Sequence, residues 1–151
     1  MLIVADSNIL LRLAEPKHRM HPETRDSTAV LLRGGHELCI FPQSIYEFWV
    51  VATRPQDKNG LGMEPSEAAV ELNRFLVTFD LLADTSAVFP EWVSLVGTHK
   101  VKGKPAHDAR IVAAMNVHAV SHLLTFNDAD FLRYPTITVL TPAGVLAGSH
   151  P

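Results

Sequence analysis

A chain of 151 residues has the usual size of one domain, and residues 1–151 are read as one. With 47% apolar and 19% charged residues it is not wholly disordered, and 13 Lys and Arg against 16 Asp and Glu (net charge −3) exclude a strongly basic nucleic-acid module. Any polyanion must therefore be met by a local patch or through a cation, and the single cysteine, Cys39, excludes both internal disulfides and a cysteine-built zinc cluster.

The apolar run Leu2-Ile3-Val4-Ala5 predicts a strand buried on both faces, ended by the polar turn Asp6-Ser7-Asn8. Ile9 to Leu13 reads as a short helix with Ser7 or Asn8 as its N-cap, and Pro22 to Arg33 as a longer one stopped by Gly34-Gly35. Glu37 to Phe41 is a second strand, in which Cys39 is expected to pack rather than react. Pro42-Gln43-Ser44 opens a helix that ends near Thr53-Arg54-Pro55. Pro55 to Gly62 is a surface loop, and Pro65 starts an amphipathic helix carrying Ala68, Leu72, Phe75, Leu76 and Phe79. Leu81-Leu82 is a short strand. Ser86 is the expected cap of a helix containing Val88, Phe89, Trp92, Val93 and Val96. A basic loop, His99 to Pro105, precedes a helix over Ala106 to Val117. His122 to Thr125 and Thr136 to Leu140 are strands, with a turn at Asn127 to Asp130 between them. Helices alternating with strands predict an α/β fold, a mainly parallel sheet covered on both faces.

No apolar run approaches the ~18 residues of a membrane span, and the start Met1-Leu-Ile-Val-Ala-Asp6 lacks the basic stretch of a secretory leader, so a cytoplasmic location is expected. Trp49 and Trp92 lie within apolar stretches and are expected to pack. The eight histidines show no metal-ligand spacing, and His107 is given no role.

In open parallel sheets, sites form beyond the carboxyl ends of the strands. Asp6 follows the first strand, and Asn127, Asp128 and Asp130 follow the strand ending near Thr125. Glu47 is placed in the first turn of the helix after the second strand, and Asp108 in the first turn of the helix after the basic loop. A parallel sheet would turn all of these to one edge. Carboxylates massed without arginines raise each other's pKa or recruit a cation, and oxygen ligands favour Mg²⁺ or Mn²⁺. Each acid also has a plain structural reading. Ser44-x-x-Glu47 is a capping-box pattern, Asp108 suits a helix dipole, Asp6 could begin an Asx-turn, and Asp128 and Asp130 could be turn residues.

Four segments carry these acids in order: Ile3-Val-Ala-Asp6-Ser-Asn8, Ser44-Ile-Tyr-Glu47, His107-Asp108-Ala-Arg110-Ile-Val-Ala-Ala, and Leu124-Thr125-Phe-Asn127-Asp-Ala-Asp130-Phe131. Together they resemble the PIN-domain family, and within it the VapC-type toxins of toxin–antitoxin pairs. The loop Ala52-Thr-Arg-Pro55 to Asn59-Gly-Leu-Gly62 also looks like a stretch of some members. The resemblance implies an α/β/α sandwich that cleaves RNA with Mg²⁺ or Mn²⁺. It implies Asp6 and Asp108 as metal ligands and Glu47 as a third acid holding the metal or its water. The fourth position, often Asp in the family, is Asn127 here. Its role is divided among Asn127, Asp128 and Asp130, with Asn127 and Asp130 favoured by the pattern Thr-x-Asn-x-x-Asp-Phe. Catalysis is thus expected from Asp6, Glu47, Asp108, Asn127 and Asp130.

Lys100, Lys102 and Lys104 alternate along the basic loop. Lys102, Lys104 and Arg110 are the expected RNA contacts, the alternative being a solvated loop and a surface ion pair. The helix over residues 45–52 is apolar at nearly every position except Glu47, which predicts burial against its own core or another chain, either a homodimer or a cognate antitoxin. A second functional class stays open: a silent module of the same fold whose acidic pocket engages a basic partner peptide. A receiver domain or Asp-x-Asp phosphatase is disfavoured, because Asp6-Ser7-Asn8 lacks the paired acids. Phosphate-binding glycine motifs are absent from the sequence.

Overall fold

Leu2–Ala5 is apolar throughout and forms β1, the middle strand of the sheet. The structure, a computed structural model, describes residues 1–150. Around β1 lie β2 (Glu37–Ile40), β3 (Asp80–Leu81), β4 (His122–Leu124) and β5 (Thr138–Leu140), in the five-stranded order β3-β2-β1-β4-β5. Every pairing is parallel, with Val4 opposite Cys39 and Ala5 opposite Leu124. A parallel sheet needs cover on both faces, and the pleat divides the strand residues between two cores.

Ile3, Ala5, Leu38, Ile40 and Leu124 point to the first core. It is closed by α1 (Ser7–Leu13), α2 (His21–Arg33), α3 (Pro42–Thr53), α4 (Pro65–Thr78) and α8 (Pro142–Leu146), through residues such as Leu10, Leu31, Phe48, Phe75 and Val145. Val4, Cys39 and Leu123 point to the second core, closed by α5 (Val88–Thr98), α6 (Ala106–Val117) and α7 (Asp128–Phe131). Ala109, Ala113 and Ala114 let α6 lie close to the sheet. The result is an α/β/α sandwich.

From β1 the chain first builds outward on one side through β2 and β3, then crosses back to add β4 and β5 on the other. The order reverses at β1, and such a switch point leaves a crevice beyond the carboxyl ends of the two strands that flank it, here β1 and β4.

Several boundaries differ from the sequence expectation. Asp6, not Ser7 or Asn8, caps α1: its carboxylate accepts the Ser7 N–H at 2.7 Å. Ser86 does not cap α5, whose N-cap is Ala87 with no side-chain bond. Ser44 lies inside α3, which starts at Pro42, so no capping box forms with Glu47 and that acid sits beyond the first turn. The turn at Asn127 to Asp130 is mostly the short helix α7, and a further short helix, α8, follows β5, capped by the Thr141 side chain. The loop after α3 folds back on it: Leu61 donates to the Val51 carbonyl at 3.0 Å and Met63 to that of Ala52 at 2.8 Å. Gly60 makes this closure possible, since a Cβ there would fall 1.9 Å from the Arg54 carbonyl oxygen. Among the described residues no helix is long and apolar enough to cross a membrane.

Candidate active site

The switch-point crevice is sewn shut at its base by one hydroxyl. Thr125, fully buried directly after β4, donates to Asp6 Oδ2 at 2.7 Å and accepts from Asn8 Nδ2 at 2.9 Å and the Asn127 N–H at 3.1 Å. Asn8 also donates to Asp6 Oδ2 at 3.0 Å and accepts the Phe126 N–H at 3.3 Å. The polar turn after β1 is thereby bonded to the chain after β4. The Ser7 hydroxyl extends the network to α3, donating to Glu47 Oε2 at 2.9 Å.

Above this base opens a cleft of about 600 Å³ lined by Asp6, Glu47, Asp108, Asn127 and Asp130. The four distant segments singled out in the sequence thus meet at one place. Asp128 instead lines a separate, largely apolar cavity beside β5, so of the three candidates for the fourth position only Asn127 and Asp130 face the acids. Lys104 and Arg54 stand at the same cleft, as do Tyr46 (63% exposed) and Val50 (55% exposed). These last two are the unburied side of α3. Its other face, Phe48 and Ala52, is core.

Electrostatics make this pocket costly when empty of cations. Asp6 is buried, and desolvation raises its pKa. The Thr125 and Ser7 hydrogen bonds work against that rise, and the charge of Glu47 adds to it. Asp108 is raised to about 6, first by desolvation and then by the charges of Asp130, Asp6 and Glu47. Among the described residues none of these acids is ion-paired with Lys or Arg. Nor does any group of three Asp, Glu, His or Cys side chains converge tightly enough to enclose an ion. A hard cation such as Mg²⁺ would not need such a group, because it takes one or two carboxylates and keeps several waters.

The sequence reading missed Gln43. It is buried in the first turn of α3, and its amide donates to Glu47 Oε1 at 2.8 Å and to the His107 carbonyl at 2.9 Å. The signal was the four-residue spacing to Glu47, which puts both on one helical face. Arg110 is engaged away from the cleft, donating to Gln43 Oε1 at 3.0 Å and pairing with Asp84 at 3.0 Å. Trp49 and Trp92 both pack, and Trp92 Nε1 also donates to the Ala106 carbonyl at 2.8 Å.

VapBC2 from Rickettsia felis, bound to a DNA fragment from its promoter, superposes over 93% of this chain and 98% of its own, with a TM-score of 0.70 and 14% identity. The fold is PIN-like. A toxin–antitoxin complex from Klebsiella pneumoniae superposes over 93% of this chain and 97% of its own (TM-score 0.64, 22% identity). VapC20 from Mycobacterium tuberculosis, a toxin that cleaves the sarcin–ricin loop, matches 80% of this chain and 86% of its own (TM-score 0.56, 13% identity). No family model matches the sequence, and a search of curated proteins finds no significant relative.

Proposed function

We propose that this PIN-like chain is a metal-dependent endoribonuclease, the toxin of a toxin–antitoxin pair. The observation that carries the reading is the convergence of Asp6, Glu47, Asp108, Asn127 and Asp130 on one cleft, the acids being unpaired with Lys or Arg among the described residues. Asp6 and Asp108 would hold Mg²⁺ or Mn²⁺. The ion, when bound, supplies charge neutralisation, polarisation of the phosphoryl group and a lowered pKa for water. Glu47, held by Ser7 and Gln43, is positioned to accept a proton or orient a water beside that pair. Asn127 and Asp130 complete the rim as neutral and anionic oxygen donors. Lys104 and Lys102 would contact the RNA backbone, with Lys104 already at the cleft. Hydrolysis would leave 5′-phosphate and 3′-hydroxyl ends.

The similarity to toxin–antitoxin complexes supports an antitoxin as partner, and exposed Tyr46 and Val50 give it an apolar edge to cover beside the acids. The same exposed edge favours the second reading, a silent module whose acidic cleft receives a basic peptide. A homodimer is proposed as the resting assembly, to be checked by light scattering.

Incubation of the antitoxin-free protein with total RNA and Mn²⁺ tests the nuclease reading. The wild type is expected to cut and Asp6→Asn to be inert. If both are silent across tRNA, rRNA and mRNA while a basic peptide still binds without metal, the binding-module reading replaces it.

A further inference from the structure

We infer that Gln43 is a positioning residue that fixes Glu47 relative to Asp108, and that Arg110 and Asp84 brace it rather than contact substrate. The inference rests on the nuclease reading of the same cleft.

Glu47 and Asp108 belong to opposite layers of the sandwich, since α3 packs in the first core and α6 in the second. Among the described residues no backbone hydrogen bond joins these helices. Both side-chain hydrogen bonds between them are made by Gln43, to the His107 carbonyl and from Arg110. The Gln43 amide therefore straps the two layers together over the end of the sheet, next to the acids.

Its orientation is set by chemistry. Glu47 and the His107 carbonyl only accept and the Arg110 guanidinium only donates, so the NH₂ group must face the first two and the oxygen the third. Three of the amide's four bonding positions are filled, and the residue is 7% exposed. Arg110 is locked in turn, because one nitrogen reaches Gln43 and the other Asp84, each at 3.0 Å. A lysine would have to meet both partners from one ammonium nitrogen, without the planar fork that holds them apart here. The line Asp84–Arg110–Gln43–Glu47 carries an orientation from an ion pair outside the cleft to an acid inside it.

The test compares wild type with Gln43→Met, Arg110→Lys, Arg110→Met and Asp84→Asn. Mn²⁺ affinity is read by electron paramagnetic resonance on the protein without RNA, and kcat and KM on an RNA oligonucleotide at several salt concentrations. Positioning predicts that Gln43→Met and both Arg110 variants weaken Mn²⁺ binding and kcat by about 10- to 100-fold. KM and its salt dependence should stay put, and Gln43→Met combined with Arg110→Met should be no worse than either alone. Asp84→Asn, at a half-exposed position expected to fold normally, should show a smaller loss of the same kind.

An RNA-contact role for Arg110 predicts instead a raised KM in Arg110→Met, a salt slope reduced by about 0.7, and retention of activity in Arg110→Lys. That pattern overturns the inference, as does wild-type Mn²⁺ affinity and kcat in Gln43→Met. In either case an active wild type leaves the nuclease reading standing. A wild type that neither binds Mn²⁺ nor cuts RNA overturns both.

Discussion

Ser7 touches two carboxylates at once: its backbone N–H donates to Asp6 at 2.7 Å and its hydroxyl to Glu47 at 2.9 Å. Asp6 and Glu47 repel, and the Coulomb effect of Glu47 on Asp6 is part of what raises the Asp6 pKa. A donor between them lowers the cost of holding both close in the absence of a cation. Removing the hydroxyl should leave the α1 cap intact, because the cap uses the backbone N–H. Ser7→Ala is therefore expected to lose only about 0.5–1.5 kcal/mol of stability. Mn²⁺ affinity and RNA cleavage should each fall by roughly tenfold, as for other groups that orient a ligating carboxylate. Isothermal titration with Mn²⁺ and a cleavage assay check the two effects separately.

Asp108 should make metal-free stability depend on pH in a particular direction. Its folded pKa, about 6, lies above the ordinary 3.8, so the folded state holds the proton more tightly than the unfolded chain. The stabilising contribution is complete below pH 4 and disappears as the pH rises through about 6. Asp108→Asn removes this loss. In EDTA its melting temperature should match or trail the wild type near pH 4 and exceed it by a few degrees at pH 7. Melting curves across this range decide the matter, and equal behaviour at all pH values would refute the assigned cause.

Divalent cations should reverse that penalty. Mn²⁺ at a hundred times its dissociation constant contributes about 2.7 kcal/mol, which for a chain of this size raises the melting temperature by roughly 5–10 °C. The rise should vanish in Asp6→Asn and in Asp108→Asn. Ca²⁺ and Zn²⁺ in the same titration show whether the oxygen donors select for a small hard ion.

Thr125 is the knot of the cleft base. In Thr125→Val the volume is nearly kept, but Asp6 loses a donor at 2.7 Å, and Asn8 and the Asn127 N–H lose their acceptor. The expected cost is about 1–3 kcal/mol, with little effect from Thr125→Ser. Urea titration should show a lower midpoint at an unchanged slope.

The sequence disclosed the layers of this molecule better than the details of its edges. Leu2–Ala5 announced a buried strand because nothing polar interrupts it, and the parallel order followed from helices placed between strands. Four of the five cleft residues were legible because each follows a strand or lies in the first turn of a helix, where the fold must leave chain ends together, whereas Glu47 reaches the cleft from the second turn of α3. Capping was less legible. Asp6, Ser7 and Asn8 are all good caps, and what assigned the role to Asp6 was Asn8 being drawn away to Thr125 and Phe126, partners more than a hundred positions along the chain. Arg110 could not be read for the same reason: whether it faces RNA or Asp84 depends on where the turn after β3 lies, and no local pattern encodes that.

The bond from Thr125 to Asp6 spans 119 positions, and β4 must slide in beside β1 before it can form. During synthesis the first hundred residues can leave the ribosome, carrying Asp6 and Glu47, without the pocket existing. A chain cut short anywhere before β4 keeps Asp6 and Glu47 but has neither Thr125 beneath them nor Asn127 and Asp130 opposite.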